Sequence, residues 1–394
     1  AATLPTDVAA IDGGTGTNTV DLRAATDDQN VTLTAVGTNI GFAGNAMADK
    51  NAPLAALGKP PIPADNPQTA AKVALGKLLF FDPRIGGDAS VSCADCHSPT
   101  QGWGFADPIS RGYPGAIHWR NSQTVVNSAY LGKLFWTGSA KSLENQAPSA
   151  ALGALSGNGE RDVIEARLAF VPEYVKAFRE VFGDRWPRVN NVWRAMAAFE
   201  RTLIHNNTPF DKYMRGDKKA LSEQQVRGLK LFQGKANCIE CHNGPQLTDQ
   251  KYYNLGVPRA EEWLTRGLAQ ITFRYQQYGK GSTEKMYRTI KDDAGLYYRT
   301  KEKVDKGKFR TPPLRYTAYT APYMHNGTFF DFEELVDFYN DGGGKNEFAT
   351  KTKLLKPLNL SDEEKEDLVA FLESLSGPEI KMATPKIPPY APLD

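Results

Sequence analysis

The sequence predicts a mainly α-helical chain of two related lobes with long loops, preceded by an N-terminal extension. Three observations lead there. The pattern C-x-x-C-H occurs twice, at Cys93-Ala94-Asp95-Cys96-His97 and at Cys238-Ile239-Glu240-Cys241-His242, and uses all four cysteines. A similar stretch precedes each copy, Gly76-Lys77-Leu78-Leu79-Phe80 and Gly228-Leu229-Lys230-Leu231-Phe232, which reads as a weak internal repeat. Elsewhere apolar residues recur at helical spacing between recognisable caps.

C-x-x-C-H is the attachment pattern of c-type haem. Each thiol bonds a vinyl-derived carbon of the porphyrin, and the histidine donates a nitrogen to the iron. Zinc and disulfides are the other chemistries open to such cysteines. Zinc takes four ligands and favours pairs backed by further Cys or His. Here the pairs stand about 145 residues apart, each with its trailing histidine. Two covalently bound haem c groups are therefore expected, one in each of two cytochrome c-like one-haem domains.

Bulk properties narrow the rest. A length of 394 residues suits two domains and an added segment. Hydrophobic residues at 41% and charged residues at 23% describe an ordinary globular chain. A net charge of +2 argues against nucleic acid as a partner. No apolar run approaches the ~18 residues of a membrane span. Ala1-Ala2-Thr3 reads as the end left by leader cleavage. Bacteria attach haem to cysteine outside the cytoplasm, so a periplasmic protein is expected.

The elements follow in order. Residues 1–55, rich in Ala, Gly, Thr, Asn and Asp, read as an extended arm, and the Pro-rich stretch 58–65 as a stiff linker. Asn66-Pro67 caps a helix through Val73, Leu75, Leu78 and Leu79 that stops at Asp82-Pro83. After the first motif, residues 98–160 are loop-rich. Val163, Leu168 and Phe178 fit one helix; Val192, Met196, Phe199 and Leu203 fit the next. Ser222 with Gln225 forms a capping box ahead of Val226, Leu229 and Phe232. Residues 245–310 read as mostly loop. Asp331 with Glu334 caps a helix ended by Gly342-Gly343-Gly344, and Ser361 with Glu364 caps the last one. The expected domains are 1–65 as extension and linker, 66–205 as the first haem domain, and 206–377 as the second. The tail 378–394 is expected to complete the first.

Further motifs carry a resemblance. They are Leu75-Gly76-Lys77-Leu78-Leu79-Phe80-Phe81-Asp82-Pro83-Arg84, Arg120-Asn121-Ser122-Gln123-Thr124-Val125-Val126-Asn127, Phe135-Trp136-Thr137-Gly138 and Ser142-Leu143-Glu144-Asn145-Gln146-Ala147. Phe309-Arg310-Thr311-Pro312-Pro313-Leu314-Arg315 and Thr320-Ala321-Pro322-Tyr323-Met324-His325-Asn326-Gly327 complete the set. Over residues 66–377 the chain resembles the bacterial dihaem cytochrome c peroxidases and their MauG branch.

The resemblance implies roles. His97 becomes the proximal ligand of the first haem, where peroxide reacts. A distal histidine would stand eight residues before Asn121, but Tyr113 is there. The first haem is thus expected to be open, with His118 either a polar loop residue or a ligand out of register. Gln146 matches the distal glutamine. The distal glutamate position holds Ser156, and Glu160 is the nearest acid. Glu144 reads as a surface helix residue. His242 becomes the proximal ligand of the second haem and Tyr339 its sixth ligand, as in the MauG branch; otherwise Tyr339 is a core aromatic and Met324 or Met286 ligates. Trp136 falls between the haems. Asn121 with the carbonyl oxygens of Thr320 and Pro322 matches a calcium site, and such oxygens suit calcium. Ala236 stands where MauG itself has tryptophan, which favours a relative of the MbnH and BthA kind.

The expected activity is of MauG type. Hydrogen peroxide raises the haem pair to a high-valent (bis-ferryl) state that oxidises Trp or Tyr on a partner protein, or an external donor. The alternatives are a cytochrome c peroxidase fed by small cytochromes or cupredoxins, and a non-catalytic dihaem electron carrier. A monomer or homodimer fits either.

Overall fold

The computed structural model describes residues 52–113 and 115–392. The expected arm therefore lies outside the described residues, apart from its last few positions. The fold is mainly helical. In chain order the helices are α1 (Ala70–Phe80), α2 (Cys93–Cys96), α3 (Leu143–Ala151), α4 (Arg161–Ala169), α5 (Pro172–Phe182), α6 (Val189–Glu200) and α7 (Pro209–Met214). They continue with α8 (Glu223–Gln233), α9 (Glu261–Thr265), α10 (Gly267–Gly279), α11 (Glu284–Thr289), α12 (Tyr297–Thr300), α13 (Phe332–Asn340) and α14 (Asp362–Ser374). Two short strands, β1 (Tyr252–Tyr253) and β2 (Phe309–Arg310), pair antiparallel.

The repeated Gly-x-x-x-Phe stretch has a packing cause. Helix α1 crosses α6 at Gly76, where a Cβ would overlap the carbonyl oxygen of Ala195. Helix α8 crosses α14 at Gly228, where a Cβ would overlap the carbonyl oxygen of Asp367. Four residues on, Phe80 packs edge-on to Phe199, and Phe232 edge-on to Phe371, with centroids 5.4 and 5.1 Å apart. One core gathers Leu79, Ile164, Leu168, Tyr174 and Phe178 around α1, α4, α5 and α6. Another gathers Phe210, Phe232, Val336 and Phe371 around α7, α8, α13 and α14.

Two buried ionic groups fasten loops to these cores. Arg315 and Asp211 are fully buried and meet at 2.9 Å. Arg315 also donates to the carbonyls of Pro245 and Ala55, at 2.6 and 2.9 Å. Arg84 pairs with Asp82 and donates to the carbonyl of Pro388 at 2.7 Å. The tail runs back over the N-terminal helices: Trp103 Nε1 donates to Ile380 O at 2.8 Å, and Ala391 N to Phe170 O at 2.9 Å.

Several expectations change. Thr69, not Asn66, caps α1; Asn66 is buried and bonds Glu144 and the carbonyl of Arg194. The helix expected through Val163, Leu168 and Phe178 is two helices, because Pro172 opens α5 at its first turn. Val163 is exposed. The segment 245–310 is not mostly loop, since α9 to α12 lie within it. Its helical period is hard to read because α10 is apolar on both its inner and its outer side.

Candidate active site

Both C-x-x-C-H motifs line one cavity of about 770 Å³. In the first, Ser92 N and Oγ donate to the Asp95 carboxylate at 2.6 and 2.7 Å. That capping box holds Cys93 and Cys96 on one turn. His97 follows, its N–H bonded to Cys93 O at 2.9 Å. Its ring is buried near the carbonyls of Trp103 and Gln123, and burial drives its pKa down to about 4. The imidazole is neutral and able to offer a lone pair.

The second motif starts at Asn237, whose φ of +51° turns the chain into the Cys238–Glu240 turn. His242 Nδ1 donates to the carbonyl of Leu247 at 3.0 Å. That bond fixes the tautomer and frees Nε2 for a metal. Burial lowers the pKa of this histidine as well. All four thiols are unbridged. Burial pushes Cys96 and Cys241 up to about 11 and Cys238 up to about 12. Among the described residues no group of three His, Cys, Asp or Glu could hold a metal ion, so zinc lacks a ligand set.

Tyr339 stands in the last turn of α13, which Asp331 caps by accepting from Glu334 N at 2.8 Å. Its side chain lines the cavity. Burial, with smaller contributions from Cys238 and Cys241, holds its phenol far above the ordinary range. A phenol so placed ionises only beside a cation, and ferric haem iron is one. Met324 also lines the cavity. Met286 packs instead in the cluster of Trp119 and Tyr298.

Trp136 lines the cavity and donates from Nε1 to Asn121 O at 2.8 Å. Asn121, Thr320 and Pro322 line it too. Asn121 Nδ2 donates to Asp107 O at 3.2 Å, which leaves Oδ1 as the side-chain acceptor. Gln146 reaches the cavity from α3. Ser156 lines it nearby, with its hydroxyl bonded to Ala150 O at 2.6 Å.

Glu160 does not join them. It is the exposed N-cap of α4 and is absent from the cavity wall, because the loop after Ser156 carries it outward. The expectation of a distal acid there is corrected. The buried acid on the wall is Glu200, at the end of α6. Burial, helped by Glu144 and opposed by Arg201, pushes its carboxyl up to about 8. The available signal was an acid in apolar register, four residues after Met196. Glu144 is no free surface residue either; it pairs with Arg201 at 2.5 Å. His118 lies in the cavity wall, stacked on Trp119 with centroids 3.9 Å apart. Its Nδ1 accepts from Arg120 N at 3.2 Å, and burial lowers its pKa to about 3.

Comparison with known proteins now adds its weight. The family model described as di-haem cytochrome c peroxidase matches residues 70–219. The cytochrome-c peroxidase IdrP1 of Pseudomonas sp. (strain SCT) is 55% identical over 88% of this chain and 89% of its own. The chain belongs to the di-haem cytochrome c peroxidase and MauG family. MauG of Methylorubrum extorquens is 35% identical over 83% of this chain and 84% of its own. A solved MauG-like protein associated with microbial copper homeostasis superposes with a TM-score of 0.70 at 28% identity, covering 85% of this chain and 96% of that one.

As a dihaem peroxidase-family oxidoreductase, the protein acts on peroxide. That sets aside the non-catalytic carrier. Of these relatives, the one at higher identity carries the peroxidase name and the MauG protein is less similar. No described helix is long and apolar enough to cross a membrane. Two family haems fit the residues: each motif supplies paired protonated thiols and a neutral imidazole on one cavity.

Proposed function

We infer that the protein is a periplasmic peroxidase with MauG-type ligation, reducing hydrogen peroxide with electrons drawn from a partner protein. The observation that carries this is Tyr339, a half-buried phenol lining the cavity within electrostatic reach of Cys238 and Cys241. When bound, the haems supply the iron that cleaves peroxide and holds its two oxidising equivalents. Axial ligand identity sets which iron states are favoured, and a hard phenolate favours the oxidised ones.

The residues divide the work. His97 and His242 would each hold one iron. Tyr339 would hold the second iron together with His242, and the reaction with peroxide would fall to the first. Gln146 supplies an amide N–H to charge developing on oxygen. Glu200, protonated at neutral pH, carries a proton within the cavity in place of Glu160. Trp136 is the oxidisable ring between the two sites. Asn121 Oδ1 with the carbonyls of Thr320 and Pro322 would hold a calcium ion, which would join the two lobes, whose bounds are 66–205 with the tail, and 206–377. The electron source in this reading is a Trp or Tyr side chain on a partner. The name of the more similar relative favours a second source, a small redox protein feeding plain peroxide removal.

Tyr339→Phe tests the ligation. Two haems per chain should remain attached in a pyridine haemochrome assay. The ferric spectrum of the second haem should change, and near-infrared absorption after peroxide should be lost. An unchanged spectrum would remove Tyr339 from the iron.

A further inference from the structure

Helix α10 presents an apolar face to solvent. Its inner side carries Ala269, Thr272, Phe273 and Gln277, all buried. Leu268, Ile271, Tyr275 and Tyr278 follow a 3-4-3 spacing on another side and are 52 to 66% exposed. A helix apolar on both sides is normally buried on both. Contiguous apolar surface with a charged rim marks an interaction site. Tyr287 of α11 extends the face, its ring edge-on to Tyr278 at 5.7 Å.

The rim chooses the occupant. Helices α10 and α11, with the turn between them, carry Arg274, Lys280, Lys285 and Arg288 against the single carboxylate of Glu284. A second copy docked here would set cation against cation. A partner with an acidic rim around an apolar patch is complementary.

The inner side of α10 leads to the cavity. Phe273 packs in one cluster with Trp119 and Tyr298, and Trp263 meets Phe273 edge-on at 4.7 Å. Trp119 and Tyr298 both line the cavity. Trp119 Nε1 and the Tyr298 hydroxyl are buried without a hydrogen-bond partner among the described residues. Oxidisable rings thus stand between the exposed face and the cavity.

We propose that this face docks an acidic redox protein and that its electrons enter the cavity through Trp119. The proposal rests on the peroxidase reading above with the second of its electron sources, a small redox protein. Each hydrogen peroxide takes two electrons from two reduced partner molecules and two protons from solvent. The O–O bond breaks, two waters form, and each partner loses one electron.

The test uses the dihaem holoenzyme, with a reduced acidic plastocyanin-type cupredoxin as donor and a small organic reductant as control. Ile271→Glu with Tyr275→Glu changes two exposed side chains, so haem content and circular dichroism should not move. Turnover with limiting cupredoxin should fall at least about tenfold through KM, while the small reductant is oxidised at the original rate. Raising the salt should weaken the cupredoxin reaction of the parent. Calorimetric binding of the oxidised cupredoxin should be lost in the double variant and kept in Trp119→Phe, which should instead lower kcat. Equal binding and turnover in parent and double variant would overturn the proposal. So would sedimentation showing a parent dimer that the double variant splits. A parent that binds the cupredoxin but reduces no peroxide with either donor would sink the peroxidase reading and leave the docking face standing.

Discussion

Glu200 ends α6 with its carboxyl buried beside the first motif. A glutamate in an unfolded chain releases its proton near pH ~4.3. In the folded protein burial raises that point to about 8, with Glu144 adding to the shift and Arg201 opposing it. Between those values the folded state holds a proton that the unfolded state has lost. Stability therefore falls as pH rises through this window, with a slope of up to about 1.4 kcal/mol per pH unit. Denaturant melts at steps from pH 5 to 8 should show a loss of the order of a few kcal/mol in the parent and a flatter profile in Glu200→Gln. If Glu200 also carries the proton, the same variant should turn over peroxide at least about a hundredfold more slowly. Parallel stability profiles would remove Glu200 as their source. At this scale legibility followed covalent spacing. His97, His242 and the paired thiols were readable because haem attachment dictates their separation. The place of Gln146 and Tyr339 on the cavity wall was legible only through motif register. Glu200 was not, because it owes its place on the wall to the packing of α6, and His118 was legible only as a loop residue or a ligand out of register.

The helix pairs α1–α6 and α8–α14 are built on the same device, a glycine at the crossing point. Adding a methyl group at Gly76 or Gly228 places a carbon on a backbone carbonyl of the facing helix, which has no rotamer with which to retreat. Overpacking of this kind costs about 1–3 kcal/mol. Gly76→Ala and Gly228→Ala should each lower the denaturation midpoint accordingly. Gly267→Ala, at the start of α10 with open space around it, should not. Equal midpoints for all three would mean that the helices separate without cost. The internal repeat was visible in the sequence as letters, but the reason for its glycines appears only when the partner helices α6 and α14 are in place. N-cap side chains made other element starts legible: Ser222, Asp331 and Ser361 each accept from the N–H three residues on. Helix α10 has no such cap, since Arg266 precedes it with no side-chain bond to its first turn. Its apolar residues cover two sides, and the single-stripe pattern used to find helices is missing there.

Across the whole molecule, the cavity is the feature that both halves of the chain share. His97 comes from the first half and His242 from the second, and Trp136 lines the same space. The Trp136 ring is tied at both ends: its indole N–H bonds Asn121 O, and its backbone carbonyl accepts from Arg310 N at 2.8 Å. A ring held that firmly keeps a constant separation from both histidines, as electron exchange between two fixed sites requires. If the two haems stand around that ring, as proposed, they can share the equivalents of a single peroxide. Trp136→Phe keeps a ring of smaller size and removes the readily oxidised indole with its N–H. Both haems should remain attached, counted as two per chain by pyridine haemochrome. Peroxide added to the variant should change the first haem's stopped-flow spectrum on the original time scale, while the second haem's response slows at least about tenfold. A second haem that answers as fast as in the parent would show that the halves communicate by another path, with Asn121 and the segment around His325, whose ring lies edge-on to Trp136 at 6.4 Å, as the next groups to change.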